Sequence, residues 1–220
     1  IANEYRMPII PRGGGSGTQS GTFALYGGIA LDLKRLNKVI DIDENSMIVT
    51  VEAGLDGSEL EKILNAKGLT MPHYPGSHFF GATIGGCLAA RGSGVVSTKY
   101  GKAEDLVLQI EAVMANGTVI DTLPVPSHAS GPGIIQTLVG SEGTLGIITE
   151  LVVGLAVRPA TPATVVATFP NIKNAAAAAA VLLRFKPSML EIIDQTTLKA
   201  VEAWHPLGFE VAGSVLLMQL

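Results

Sequence analysis

Four glycine-bearing loops hold the residues best suited to chemistry, and the chemistry they suit is holding an anion. The first reads Pro11-Arg12-Gly13-Gly14-Gly15-Ser16-Gly17-Thr18. Consecutive glycines let backbone N–H groups converge on one anion, because no Cβ blocks the approach or the φ > 0 conformations. The second loop is Pro75-Gly76-Ser77-His78-Phe79-Phe80-Gly81-Ala82-Thr83-Ile84-Gly85-Gly86. The third is Arg91-Gly92-Ser93-Gly94, followed by Tyr100-Gly101, and the fourth is Gly140-Ser141-Glu142-Gly143-Thr144-Leu145-Gly146-Ile147-Ile148. Familiar phosphate signatures fail: the first loop lacks the last glycine of G-x-G-x-x-G, and no Gly-Lys-Ser/Thr closes a Walker loop. Alone, the first loop reads equally well as a surface turn. Specificity comes from the order and spacing of all four between Pro11 and Pro159.

Loops in this order resemble those of the FAD-linked oxidases with a PCMH-type FAD-binding domain, in the vanillyl-alcohol-oxidase superfamily. That group includes glycolate oxidase, D-lactate dehydrogenase and alkyldihydroxyacetonephosphate synthase. Glycolate-oxidase-type proteins have Asn-Ala-Gly-Gly where this chain has Arg91-Gly92-Ser93-Gly94. The synthase has a similar Arg-Ala-Ser-Gly, and its Tyr-Gly and Glu-Asp-Leu-Val are similar to Tyr100-Gly101 and Glu104-Asp105-Leu106-Val107. Ser130-Gly131-Pro132 also resembles the synthase. Residues 187–198, with Leu190, Glu191 and Asp194 in a Leu-Glu-x-x-Asp core, resemble the opening of the group's substrate-binding cap.

The resemblance implies FAD as cofactor, cradled by loops without a Rossmann-type helix terminus. Pro11, Arg12, Gly13, Gly14, Gly15, Ser16 and Gly17 would wrap its pyrophosphate with backbone donors. Pro75, Gly76, Ser77, Gly81, Ala82, Thr83, Gly85 and Gly86 would line the flavin and ribityl side. Arg91, Gly92 and Ser93 would sit near the isoalloxazine, with Tyr100 also among the cofactor contacts. Glu142, Gly143, Thr144, Gly146, Ile147 and Ile148 would hold the adenosine end through their main chain. Family members that attach FAD covalently use a His and a Cys at positions matching Ser16 and Phe79 here, so the expectation is non-covalent FAD. Arg91 and His78 are the catalytic candidates, Arg91 for an anionic substrate or the flavin's developing negative charge, and His78 for a place facing the flavin.

The remaining reactive residues read as structural. Cys87 follows Gly85-Gly86 and suits a small core position. His73 is expected to be packed or solvated, and His128 and His205 lie in loop-like surroundings. No two histidines share metal-ligand spacing, so no metal is expected. A single cysteine excludes an internal disulfide framework or a cluster ligated within this chain. A net charge of −4 without a basic stripe argues against nucleic acid as partner. No apolar run reaches the roughly 18–20 residues of a membrane-spanning helix. Residues 1–4 show no signal peptide, which makes the cytoplasm the default compartment.

The elements that must position the loops follow from periodicity. Apolar residues make up 47% of the chain and charged ones 15%, against roughly 25% charged in typical domains, which requires a large buried core. Residues 1–6 read as the tail of a helix. Residues 7–11, 29–33, 39–43 and 46–53 read as strands, and 58–66 as a helix stopped by Gly68. Residues 81–90 suit a small-residue helix packed on something flat. Residues 106–115 and 118–121 form a hairpin, with Asn116-Gly117 predicting a type I′ turn. Residues 145–157 are a long β-run. After Pro162 the pattern becomes β-α-β-α-β (164–169, 171–184, 188–193, 194–204, 214–220), the last strand running off the chain as an apolar edge.

The sequence therefore predicts an α+β fold: residues 1–158 form a PCMH-type FAD-binding domain of two α/β subdomains, and 163–220 open an α+β cap. Both ends read as internal to a longer polypeptide. The favoured function is an FAD-dependent oxidoreductase that oxidises a small-molecule 2-hydroxy acid of the D-lactate or glycolate kind by hydride transfer to flavin N5. An alkylglycerone-phosphate synthase and an FAD-carrying subunit of an electron-transfer complex are the alternatives. An electron-acceptor protein and a homodimer formed through the cap or sequence beyond it are the expected partners.

Overall fold

In the computed structural model, every residue except Ser127, His128, Ser130, Glu210 and Ala212 is described; the expectation for His128 and the Ser130-Gly131-Pro132 motif lie wholly or partly outside it. A helical turn α1 (Ala2–Tyr5) precedes strands β1 (Ile9–Arg12), β2 (Ile29–Asp32), β3 (Val39–Asp43) and β4 (Ile48–Glu52). Helix α2 (Gly57–Asn65), strand β5 (Leu69–Thr70), a 3-10 turn (Gly76–Phe80) and helix α3 (Ile84–Ala89) follow. Short helices α4 (Ser97–Tyr100) and α5 (Ala103–Leu106) lead to β6 (Val107–Val113), β7 (Val119–Asp121), α6 (Ile134–Leu138), β8 (Ile147–Gly154) and β9 (Ala156–Val157). The remainder is β10 (Thr164–Phe169), α7 (Ile172–Leu182), β11 (Met189–Ile193), α8 (Gln195–Trp204) and β12 (Ser214–Gln219).

Two compact units result, one of Ile1–Gly94 with Gly101–Arg158, the other of Val95–Tyr100 with Pro159–Leu220. In the first unit, β1 and β2 pair in parallel, and a five-stranded antiparallel sheet runs β3-β4-β8-β6-β7. Strand β4 buries Val49 and Val51 and leaves Ile48, Thr50 and Glu52 half-buried, the period-2 pattern of a strand with one packed face. Helix α2 starts where the Asp56 carboxylate accepts from the N–H groups of Ser58 (2.8 Å) and Glu59 (3.2 Å), satisfying donors the helix cannot. Its Leu60 and Leu64, at i and i+4, are fully buried against the sheet core, each contributing about 2 kcal/mol of hydrophobic burial. Helix α3 needs its glycine: a Cβ on Gly85 would lie 2.5 Å from the Ala53 Cβ, while the Gly85 N–H donates to Ala53 O at 2.8 Å. This is the close packing that its small residues predict.

Two local expectations are corrected. Asn116 does not take the φ > 0 that a type I′ turn requires; only Gly117 does, at φ 84. The Asn116 side chain accepts from Thr118 N–H at 2.9 Å, and Gly117 N–H donates to Met114 O at 2.8 Å, so the hairpin closes on a type I turn with Gly117 as its left-handed bulge residue. In the second unit, β12 is central in the order β10-β12-β11, antiparallel to both neighbours. Residues 215–219 are therefore paired on both sides, and the exposed apolar edge expected there does not exist. Helices α7 and α8 are capped by Asn171 and Asp194 and bury Ala175, Ala179 and Leu198. The six residues Val95–Tyr100, expected with the first domain, group with this second unit.

Candidate cofactor site

A cleft of about 340 Å³ opens in the first unit, within the range of ligand sites. Its walls are the loops singled out by sequence. Pro11, Gly13, Gly14, Gly15, Ser16 and Gly17 come from the end of β1; Pro75, Ser77, Ala82 and Thr83 surround the 3-10 turn; Gly85 and Gly86 open α3. Gly92 and Ser93 follow α3, and Glu142, Gly143, Gly146, Ile147 and Ile148 lead into β8.

The loops meet backbone to backbone. A Cβ on Gly14 would lie 1.8 Å from the Gly81 carbonyl oxygen, and one on Gly13 would lie 2.2 Å from Thr83 Oγ1. The fourth loop closes on the first in the same way, where a Cβ on Gly143 would reach 2.2 Å from Pro11 Cγ. It is also hung on the end of α3: Gly140 and Glu142 N–H donate to Leu88 O (3.3 Å) and Ala89 O (3.0 Å). Glycines and other small residues make up most of the cleft wall, with Gln19, Leu33, Glu142, Ile147 and Ile148 among them, and glycine loops of this kind suit an anionic ligand that needs oriented N–H donors. These residues fit an FAD diphosphate.

Other expected residues are not on the cleft wall. Arg12, Gly76, Gly81, Tyr100 and Thr144 are not among the lining residues, and Tyr100 groups with the second unit. Arg91, expected at the flavin, has a committed guanidinium. Its Nε lies 3.1 Å from Glu104 Oε2, and Nη2 donates to Gln136 O and Val139 O, each at 3.4 Å. Its backbone is left-handed, with φ 53. His78 is buried and also off the cleft wall, with its Nε2 packed where Gly57 lacks a Cβ.

His73 and His78 form a buried pair, rings edge to face at 6.2 Å, with Tyr74 against His78 at 5.5 Å. None of their ring nitrogens has a hydrogen-bond partner among the described residues. Burial, with the neighbouring His78, pushes the His73 imidazole down to about 4; burial also lowers His78, opposed by the Asp56 carboxylate. His205, in the second unit, is exposed, its ring tilted beside Trp204.

Sequence reasoning missed Gln19, Gly21, Thr22, Leu33, Cys87, Ala89 and Ala90, which also line the cleft. A signal existed for the last three, because a helix joining two wall loops must itself face the space between them. Cys87 is buried as expected of a core residue, and burial pushes its thiol up to about 12, so it lines the cleft as the neutral thiol.

The fold and cleft match a known pattern. Residues 1–123 match the family described as FAD binding domain, and residues 158–219 match FAD linked oxidases, C-terminal domain. The chain belongs to the FAD-linked oxidases with a PCMH-type FAD-binding fold, and FAD is the cofactor. It is 35% identical over 221 residues to glycolate oxidase subunit GlcD of Bacillus subtilis, covering 99% of this chain and 47% of that protein. It is 35% identical over 202 residues to the mitochondrial D-lactate dehydrogenase [cytochrome] of Arabidopsis thaliana, covering 90% and 35%. A solved alkyldihydroxyacetonephosphate synthase superposes with a TM-score of 0.83 at 29% identity, covering all of this chain and 43% of that one. The chain thus spans less than half the length of these relatives. No helix among the described residues is long and apolar enough to cross a membrane.

Proposed function

We propose that the cleft of the first unit holds FAD non-covalently and that the whole protein oxidises a small 2-hydroxy acid. The observation that carries this reading is the cleft's glycine-rich lining, which suits a diphosphate and which, among the described residues, offers the flavin neither a histidine nor a reactive thiolate. When bound, the flavin supplies the acceptor for the hydride equivalent removed from the substrate carbon.

The protein's own residues bind and orient. Gly13, Gly14, Gly15, Ser16 and Gly17 take the diphosphate through backbone N–H groups. Ser77, Ala82, Thr83, Gly85 and Gly86 line the ribityl side, Gly92 and Ser93 border the ring, and Gly143, Gly146, Ile147 and Ile148 hold the adenosine end. Arg91 acts as a positioning residue that keeps the third and fourth loops in register. Residues 1–158 are the FAD-binding domain and 163–220 the opening of the cap, with a protein acceptor taking the electrons onward.

A second reading, alkylglycerone-phosphate synthesis, is favoured by Arg91-Gly92-Ser93-Gly94 with Tyr100-Gly101 and by the superposition on the synthase. The test is anaerobic addition of D-lactate or glycolate to the intact purified protein. Bleaching of the visible flavin band supports oxidation. A flavin that stays oxidised with every short 2-hydroxy acid, in a protein that exchanges the acyl group of an acyl-glycerone phosphate for a long-chain alcohol, transfers the assignment to the synthase.

A further inference from the structure

The second loop carries two histidines that cofactor binding leaves unused. His73 and His78 are only 2% and 4% exposed, and they bracket Pro75 and Ser77, which stand on the cleft wall. Each ring fills space that a glycine leaves open. A Cβ on Gly57 would lie 2.2 Å from His78 Nε2, and one on Gly92, itself on the cleft wall, would lie 3.4 Å from His73 Nε2. His73 also borders a cavity of about 10 Å³ lined by Met71, Ile84, Cys87, Leu88, Leu151 and Val153, room for one water and no anion.

These surroundings suit two neutral rings and penalise a charged one. A protonated imidazole donates from both nitrogens, yet none of the four ring nitrogens has a hydrogen-bond partner among the described residues. The titratable groups facing the pair are Tyr74 of the same loop, the neutral Cys87 thiol of α3 and the Asp56 carboxylate heading α2. Asp56 already accepts from the Ser58 and Glu59 N–H groups as the cap of α2. His78 packs on Gly57, the first residue of α2, where the positive end of the helix dipole opposes a further positive charge. Two charged rings 6.2 Å apart would also repel each other. Burial lowers both imidazole pKa values, in keeping with this geometry.

We propose that the His73–His78 pair is an acid-sensitive latch on the cofactor: protonation drives the second loop off α2 and releases FAD while the rest of the unit stays folded. The latch rests on the cleft being the FAD site. The bonds that part are few, Ser58 Oγ donating to His78 O at 3.2 Å and Gly57 N–H to Ala82 O at 3.0 Å. Pro75, Ser77, Ala82 and Thr83 leave the wall with the loop, and the Gly81 carbonyl leaves its place against Gly14. Retention is full above the ordinary histidine value of 6.5, where both rings are neutral in either state, and is lost as pH falls toward the lowered values.

The test takes the intact flavin-loaded protein from pH 7 to 4.5, measures the FAD dissociation constant by ultrafiltration and follows the fold by far-UV circular dichroism. The dissociation constant is expected to rise about tenfold per pH unit for each histidine that takes up a proton, with the dichroism unchanged. His78→Phe and His78→Leu, two variants of different bulk whose folding is checked by melting at pH 7, should each remove one proton from that slope. The double variant His73→Phe/His78→Phe should remove nearly all of it. A slope that survives in the double variant, or flavin lost only together with the dichroism, overturns the latch. Gly14→Val separates this from the cofactor reading. FAD binding that survives that change defeats the cleft as cofactor site, whereas binding lost there, with a pH slope that the histidine variants leave unchanged, defeats only the latch.

Discussion

The Nε of Arg91 lies 3.1 Å from Glu104 Oε2, and the same guanidinium reaches the Gln136 and Val139 carbonyl oxygens at 3.4 Å. The pair is about half exposed on the Arg91 side, so its Coulombic attraction alone is worth at most about 1 kcal/mol. Its importance is geometric, since one planar group serves three acceptors on two segments, Glu104 on α5 and the Gln136 and Val139 carbonyls at the end of α6, which flank the third and fourth loops. A lysine ammonium cannot span them. Arg91→Lys is expected to lower the melting temperature by roughly 2–4 °C, for about 1 kcal/mol lost from a unit of this size, and to weaken FAD retention. Thermal melts and flavin content after gel filtration check this. Full stability and flavin content with a lowered kcat would mean that Arg91 acts on substrate directly.

Gly14→Val should abolish flavin binding. The added Cβ cannot coexist with the Gly81 carbonyl oxygen 1.8 Å away, so the first and second loops must part. Gly76→Ala is the matched control: nothing lies within 4 Å of its Cβ position, and its φ needs no glycine. The control is expected to keep both flavin and melting temperature. A yellow Gly14→Val protein would show that the loops have more freedom than this contact permits.

The histidine pair predicts acid sensitivity of the first unit. His73 titrates near 6.5 when unfolded and near 4 in the folded chain, so between those values the unfolded state binds more protons. The stability that comes from keeping this ring neutral is fully present above pH 6.5 and is lost as pH falls toward 4, on the order of 3 kcal/mol in all. His73→Phe should flatten that slope between pH 7 and 5 in urea-unfolding midpoints. An unchanged slope would assign the proton uptake to other groups.

Four carboxylates lie in register across the sheet: Glu52 opposite Glu150, Glu150 opposite Glu111, and Glu111 opposite Asp121. Burial, then the charges of Glu111, Asp121 and Glu52, raises the pKa of Glu150, so its ionised form opposes folding at neutral pH. Glu150→Gln should raise stability by a few tenths of a kcal/mol at pH 7. The gain should shrink in high salt and vanish below the unfolded carboxylate range. Glu111→Gln should gain less, because Glu111 Oε1 accepts from Thr149 Oγ1 at 2.5 Å. Equal gains from both, or none from Glu150→Gln, would remove the electrostatic account.

Legibility in the sequence followed the range of the interactions. The strand at 46–53, the helices at 58–66, 171–184 and 194–204 and the Gly68 stop depend on neighbours within a few residues, and all were readable. So was the glycine content of the loops, because an anion cradle imposes it locally. Strand order was not readable: β12 slots between β10 and β11, and nothing within residues 214–219 encodes which strands flank it. The turn at Asn116 hinged on one side-chain bond to Thr118 that competes with the left-handed conformation. The contacts of the Arg91 side chain were out of reach for the same reason at longer range, because the carbonyls that hold it lie 45 and 48 residues away.

The wall of the cleft is specified largely by atoms that are missing. Every nonsynonymous single-base change in a glycine codon that still encodes a residue adds a Cβ. At Gly13, Gly14 and Gly143 that atom has nowhere to go. These positions therefore have no tolerated neighbours in sequence space, and the site cannot drift by small steps. Whatever variety this scaffold achieves in the ligands it serves must come from residues outside those contacts, where a new side chain can be tried without first losing the cofactor.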